Sequence, residues 1–157
     1  VKKIISIDEA VLISKKIKQN NQSIVLAGGC FDVLHSGHIK FLSDSKKSAD
    51  ILFLLLESDE NIKKYKGDSR PINPQKTRST ILSSLSSTDY IIPLSGMTKN
   101  EDYDKLIVQI QPDYIAITKG DKNIPRRTEQ CDKVGAKLIK IEKLEGFSSS
   151  KYINNIK

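Results

Sequence analysis

The only two histidines in the 157 residues stand three positions apart, in Gly28-Gly29-Cys30-Phe31-Asp32-Val33-Leu34-His35-Ser36-Gly37-His38. At the start of a helix that spacing lets both imidazoles point the same way. Rings placed so can donate hydrogen bonds to phosphate oxygens and stabilise the charge that develops as pyrophosphate leaves. The glycines before them let backbone N–H groups approach a phosphate closely, and a helix N-terminus adds positive potential. No Gly-Lys-Ser/Thr follows, so this is not a Walker A loop, nor does it fit the dinucleotide GxGxxG spacing. A lone histidine is more often packed or solvated; a pair flanking a glycine after a Gly-rich turn is better read as a phosphate site. A zinc site would need more ligands, and only Cys30 or Asp32 could help, so no protein-bound metal is expected.

A second group of residues is basic. Lys63, Lys64, Lys66, Arg70, Lys76 and Arg78 are interrupted by one acid, Asp68. Arginine grips phosphate bidentately and lysine acts as a point charge. Singly, each could be ordinary surface; as a set bracketing Arg70-Pro71-Ile72, Lys66, Arg70 and Arg78 favour phosphate binding. Two later stretches complete the set, the turn Thr118-Lys119-Gly120-Asp121 and the run Gly146-Phe147-Ser148-Ser149-Ser150. Hydroxyls and free N–H groups at a helix start suit a triphosphate, though plain helix capping would use the same serines. Cys30 lies inside the histidine motif, but no histidine is free to act as its base. It is read as packing.

The elements that must position these residues alternate along the chain. Ser6 and Glu9 form a capping box for a helix reaching about Gln19. Ile24 to Ala27, Ile51 to Leu56, Tyr90 to Ile92, Tyr114 to Ile117 and Leu138 to Ile141 read as short apolar strands. Helices are expected from about Ser36, from Asn73 (N-cap) and Pro74 through Leu85, from a Thr98–Glu101 capping box to Ile110, and from Pro125 to Val134, stopped by Gly135. Buried strands alternating with helices imply an α/β fold, a doubly wound Rossmann-like parallel sheet of five strands with helices on both faces. Ligands then sit at the carboxyl ends of the strands, near the switch point. The loops after Ala27, Leu56, Pro93 and Thr118 are where the chemistry belongs.

Bulk properties set bounds. At 157 residues the chain is expected to be one domain, with residues 1–22 as an N-terminal helical extension and 23–157 as the catalytic core. Apolar residues at 38% and charged residues at 29% describe a folded globular protein. No apolar run is long enough to span a bilayer, and Asp8 and Glu9 interrupt the N-terminus before a secretory signal could form. Cys30 and Cys131 are far apart, without a CxxC, which fits a reducing cytoplasm. The net charge of +7 invites nucleic acid or phosphorylated metabolites alike, but aromatics at 6% are few for a single-strand binder.

Gly29-x-Phe31-Asp32-x-x-His35-x-Gly37-His38 resembles the signature of the cytidylyltransferase-like nucleotidyltransferases, whose HxGH element contacts the NTP phosphates. The resemblance runs from Ile24 to the C-terminus. Lys66-Gly67-Asp68-Ser69-Arg70-Pro71-Ile72-Asn73-Pro74, with Arg78, looks most like the adenylyltransferase domain of bifunctional heptose kinase/adenylyltransferases, which make ADP-heptose. Thr118 to Asp121 resembles that family's Lys-Gly-Gly-Asp turn, and Gly146 to Ser150 its Ser/Thr-rich element.

The resemblance implies transfer of AMP from Mg²⁺-bound ATP to a sugar 1-phosphate, D-glycero-D-manno-heptose 1-phosphate first, by a homodimer. It implies His35, His38, Lys66 and Arg78 as catalytic residues. Gly28, Gly29, Cys30, Phe31, Asp32, Gly37, Lys119, Gly120, Asp121, Ser148, Ser149 and Ser150 would contact nucleotide, and Lys66 and Arg70 the acceptor. Lys143-Leu144-Glu145-Gly146 departs from the Arg-Thr-Glu-Gly of the glycerol-phosphate enzymes. Three alternatives stay open: cytidylyl transfer from CTP to glycerol 3-phosphate or another alcohol phosphate, an FAD synthetase-like activity, and a non-catalytic nucleotide- or nucleic-acid-binding module.

Overall fold

A computed structural model describes residues 2–156. Helix α1 (Ile7–Gln19) leads to β1 (Ile24–Gly29), α2 (Ser36–Lys46) and β2 (Ile51–Leu56). Then come α3 (Asp59–Lys66), α4 (Gln75–Ser83), β3 (Tyr90–Pro93), α5 (Asn100–Ile110), β4 (Tyr114–Thr118), α6 (Ile124–Val134), β5 (Lys137–Ile141) and α7 (Ser149–Ile156). All pairings in the five-stranded sheet are parallel, in the order β3-β2-β1-β4-β5. This is the expected α/β Rossmann-like arrangement. None of its helices is long and apolar enough to cross a membrane among the described residues.

Alternation along the strands builds a core on each face. Ile24, Leu26, Phe53 and Leu55 face Ala10 and Ile17 of α1, Leu106 and Ile110 of α5 and Cys131 of α6. Val25, Ala27, Leu52, Leu54 and Leu56 pack with Leu42 of α2 and Leu82 of α4. Because β1 and β2 are covered on both sides, their sequences read as unbroken apolar runs. The chain winds outward from β1 to β3, then returns to place β4 beside β1. That reversal opens a crevice at the carboxyl ends of β1 and β4. Gly29, Leu56 and Pro93 stand side by side in register, so the loops that follow them begin at one level.

Residues 2–22 pack against the sheet. Ile5, Ala10 and Ile17 are buried in the core, and Ile5 N–H donates to Ile91 O while Ile91 N–H donates to Lys3 O, covering the free edge of β3. Helix α3 is unexpected, because Asp59–Lys66 carries one buried apolar residue, Ile62, and shows no apolar period. Ser58 starts it, its hydroxyl accepting from Asn61 N–H. Pro74, not Asn73, is the N-cap of α4. At α5 the Asp102 carboxylate, not Glu101, accepts the backbone N–H groups of Thr98 and Lys99.

Candidate active site

The loop after β1 is strained where it turns toward α2. Phe31 and Val33, neither a glycine, have φ of 47° and 53°. L-residues avoid that region unless the surroundings enforce it, and such strain gathers at functional sites. Two glycines make the turn possible. A Cβ on Gly29 would lie 2.9 Å from the Phe31 ring, and one on Gly37 would lie 3.0 Å from the His35 imidazole. The bare Cα of Gly37 therefore leaves room for His35 to fold back over the first turn of α2.

The histidines then stack, with ring centroids 3.8 Å apart and planes inclined by 24°. His35 Nδ1 accepts the N–H of Gly37 at 3.1 Å, and His38 Nδ1 accepts that of His35 at 3.4 Å. With Nδ1 accepting, each neutral ring carries its proton on Nε2, and Nε2–H is the donor it has left. Burial, then the neighbouring His35 and Lys66, push the His38 pKa down to about 4, against a small opposing effect of Asp32. Burial also lowers that of His35. At neutral pH the pair is uncharged.

Both rings line a cleft of about 550 Å³ at the carboxyl ends of the strands. Gly28, Gly29, Cys30, Phe31, Gly37, Lys66, Asp121, Ser148, Ser149 and Ser150 line it too, so most of the expected residues meet in one place. Phe147 and Tyr152 face His35 from the far side, at 6.4 and 5.9 Å between centroids. Ser149 donates to the backbone oxygens of Asp32 and Val33, fixing the start of α7 to the histidine loop. Ser148 caps that helix, its hydroxyl accepting from Lys151 N–H. Burial raises the Cys30 thiol pKa, as suits a packing residue and not a nucleophile.

Other expected residues stand behind the wall. Asp32 is 1% exposed and accepts from Arg70 Nε at 2.7 Å and from the N–H groups of Ile72 and Asn73. Burial alone would raise its pKa; those backbone donors and Arg70 more than offset this and lower it. Asp32 thus pins the loop from Arg70 to Asn73 against the histidine turn. Arg70 is 6% exposed and serves Asp32; its Nη2 is buried without a partner among the described residues.

Arg78 is 1% exposed, and all its nitrogens are spent. Nε donates to Asn73 O, Nη1 to Cys30 O, and Nη2 to Glu57 O and Asp59 Oδ1. It ties together three loops of the site and does not face the cleft. Lys119 reaches out to Glu142 and, with Gly120, also lies off the cleft.

A model of the cytidylyltransferase-like family matches residues 26–155. The chain belongs to the cytidylyltransferase-like nucleotidyltransferases. It is 36% identical over 158 residues to the bifunctional protein HldE of Wolinella succinogenes, covering 98% of this chain and 31% of that one. With the bifunctional protein HldE of Campylobacter jejuni subsp. jejuni serotype O:2 it shares 38% over 157 residues, or 99% of this chain and 32% of the relative. The chain thus spans about a third of these curated relatives. A lipopolysaccharide core biosynthesis protein from Thermoplasma volcanium GSS1 superposes with a TM-score of 0.65 at 26% identity, over 79% of this chain and 99% of that one. A pantoate-beta-alanine ligase from Francisella tularensis, at 15% identity and TM-score 0.67 over 98% and 73%, shows the shared fold.

This nucleotidyltransferase also places in its cleft residues that the sequence does not single out. Glu57, Tyr103, Asn123 and Arg127 line it, with Lys143 and Phe147 near the serine run. Lys143, not Lys119, is the lysine on the β5 side of the cleft. Arg127 comes from a helix with no phosphate motif. Glu57 and Tyr103 belong to separate elements and become neighbours only through the sheet order.

Proposed function

We propose that this nucleotidyltransferase transfers AMP from ATP to a sugar 1-phosphate, with D-glycero-D-manno-heptose 1-phosphate first, in the cytoplasm and as a homodimer. An acceptor phosphate oxygen attacks the α-phosphorus of ATP and a new P–O–P linkage forms. The bond between the α-phosphorus and its bridging oxygen breaks, and the electron pair leaves on pyrophosphate. The observation that carries this reading is the histidine pair, two Nε2–H donors fixed beside a glycine turn at the switch crevice. Such donors stabilise growing charge without reorganising. Lys66 ends α3 on the β2 side of the turn and makes no ion pair among the described residues, so its ammonium is available to the acceptor phosphate. Support for a sugar-derived acceptor comes from one solved relative, named a lipopolysaccharide core biosynthesis protein.

Mg²⁺ is proposed to arrive on the triphosphate. No group of three or more His, Cys, Asp or Glu side chains that could hold a metal is formed among the described residues. The metal supplies charge neutralisation on the phosphates; the histidines and Lys66 position the reacting groups. Chelation by EDTA should abolish turnover and Mg²⁺ should restore it. Tightly held zinc in the purified protein would overturn this assignment.

The deciding experiment is a pyrophosphate-release screen of ATP and CTP against sugar 1-phosphates and glycerol 3-phosphate. ATP with heptose 1-phosphate should be the fastest pair. A faster CTP–glycerol 3-phosphate pair would replace the acceptor while keeping the reaction class; nucleotide binding without release would favour a binding module. Lys66→Ala should raise the acceptor KM by about tenfold or more, as loss of a charge-assisted hydrogen bond does. Its ATP affinity by calorimetry should stay close to wild type. Loss of ATP binding instead would move Lys66 to the nucleotide.

A further inference from the structure

We propose that Glu57 reads the hydroxyl groups of the acceptor, in the part of the cleft lined by Tyr103 of α5 and Arg127 of α6, and so selects polyhydroxylated phosphates. The inference rests on the phosphorylated acceptor proposed above and names what would hold its carbon skeleton.

The cleft does not stop at the strand ends. Leu26, Leu55, Leu94 and Ile115, from the core on the α5 and α6 face, line it, as do Ala27, Phe31 and Ala116 from the core on the other face. Toward the α5 and α6 face, Tyr103 of α5 and Arg127 of α6 add polar groups to that lining. Glu57 follows β2 directly, and its N–H donates to Gly29 O at 3.0 Å. It thus stands next to the phosphate-binding turn, on the side of Lys66 and away from Asp121 and Lys143.

A carboxylate is out of place in a cleft built for phosphates, since it repels them. Here the fold takes trouble to hold one. Glu57 Oε1 accepts from Ser58 N–H at 2.8 Å and from Asn61 Nδ2 at 3.0 Å; Oε2 accepts from the Tyr103 hydroxyl at 2.8 Å. Asn61 is buried and anchored in turn, with Nδ2 2.8 Å from Met97 O and 3.0 Å from the Tyr103 hydroxyl. Burial, then Glu57 itself, raises the Tyr103 pKa, so the phenol keeps the proton it donates. An ionised carboxylate offers about four acceptor sites. Three are taken by these partners, which leaves one on Oε2 in a side chain that lines the cleft.

A fixed carboxylate with one free lone pair is suited to an O–H donor. Charge-assisted hydrogen bonds are roughly twice as strong as neutral ones. Arg127 complements it with donors, since its guanidinium makes one side-chain hydrogen bond among the described residues, to Gln130 Oε1. One acceptor and several donors over an apolar floor match a sugar or polyol, whose hydroxyls do both.

The test is calorimetry on the whole chain saturated with a non-hydrolysable ATP analogue, titrating mannose 1-phosphate and, separately, inorganic phosphate. The wild type should bind mannose 1-phosphate about tenfold or more tighter than phosphate. Glu57→Gln should remove most of that difference, with the affinities for phosphate and for the ATP analogue unchanged or raised, because a repelling charge is lost. Tyr103→Phe, which frees Glu57 but keeps the ring, should remove part of it; should Glu57→Gln fail to fold, this variant carries the comparison. A wild type that does not distinguish the two titrants overturns the proposal. So does a Glu57→Gln protein that binds mannose 1-phosphate normally, or one whose affinity for the ATP analogue falls equally. Absence of pyrophosphate release with every NTP would instead sink the transfer reaction, while the binding difference would still stand or fall by itself.

Discussion

His35→Ala and His38→Ala are each expected to lower turnover by on the order of 10²–10³, the usual cost of losing one pre-organised donor at developing charge. The two rings act as a stacked unit, so the double variant should lose little more than either single one. Their placement also makes a pH signature. The folded pKa of His38, about 4, lies below its ordinary value of 6.5. The unfolded chain therefore binds the proton more readily. Stability from this residue is fully present above pH 6.5 and is lost as the pH falls through about 4, by roughly 3 kcal/mol at most. Urea midpoints at pH 7 and pH 4.5 should diverge more in the wild type than in His38→Ala. Near-normal turnover in both single variants would remove the histidines from the mechanism, and an unchanged pH dependence in His38→Ala would show that this imidazole is not held neutral.

Much of this site can be read in the sequence because its spacing is local. The histidine turn, the five strands and the serine run each announce themselves within a dozen residues, and the physics of a turn or a strand acts over that range. Gly29 and Gly37 are necessary for contacts made inside the same loop. Residues that meet across the sheet give no such signal. Glu57 looks like an ordinary strand-end acid until Tyr103, 46 positions away, donates to it. Lys119 follows a strand as a nucleotide-binding lysine should, yet it is drawn off by Glu142 of the next strand's end, and Lys143 takes the cleft. Helix α3 leaves no trace in the pattern because its stability comes from Ser58 and one buried isoleucine, too little to show as a period.

The arginines show most clearly that charge in a sequence does not say whether it meets a ligand or the fold. Arg78→Ala is expected to cost on the order of 3–5 kcal/mol of stability, as removal of one partner from a buried ionic network does. Asp59, whose side chain is 45% exposed, can be rehydrated. The larger loss comes from the oxygens of Cys30, Asn73 and Glu57, left without their donor where a cavity replaces the guanidinium. For a chain of this size that corresponds to a fall of about 10 °C in Tm. Arg78→Lys should recover only part, because an ammonium keeps the charge but cannot reach out as a fork. Activity should fall too, but indirectly: Cys30 and Glu57 flank the site, and Arg78 holds the backbone of both. Thermal unfolding and calorimetry separate the two roles. In the temperature range where Arg78→Ala stays folded, its ATP affinity should be reduced only a few-fold. A variant as stable as the wild type that no longer binds ATP would return Arg78 to the phosphates, where its position in the sequence alone would put it.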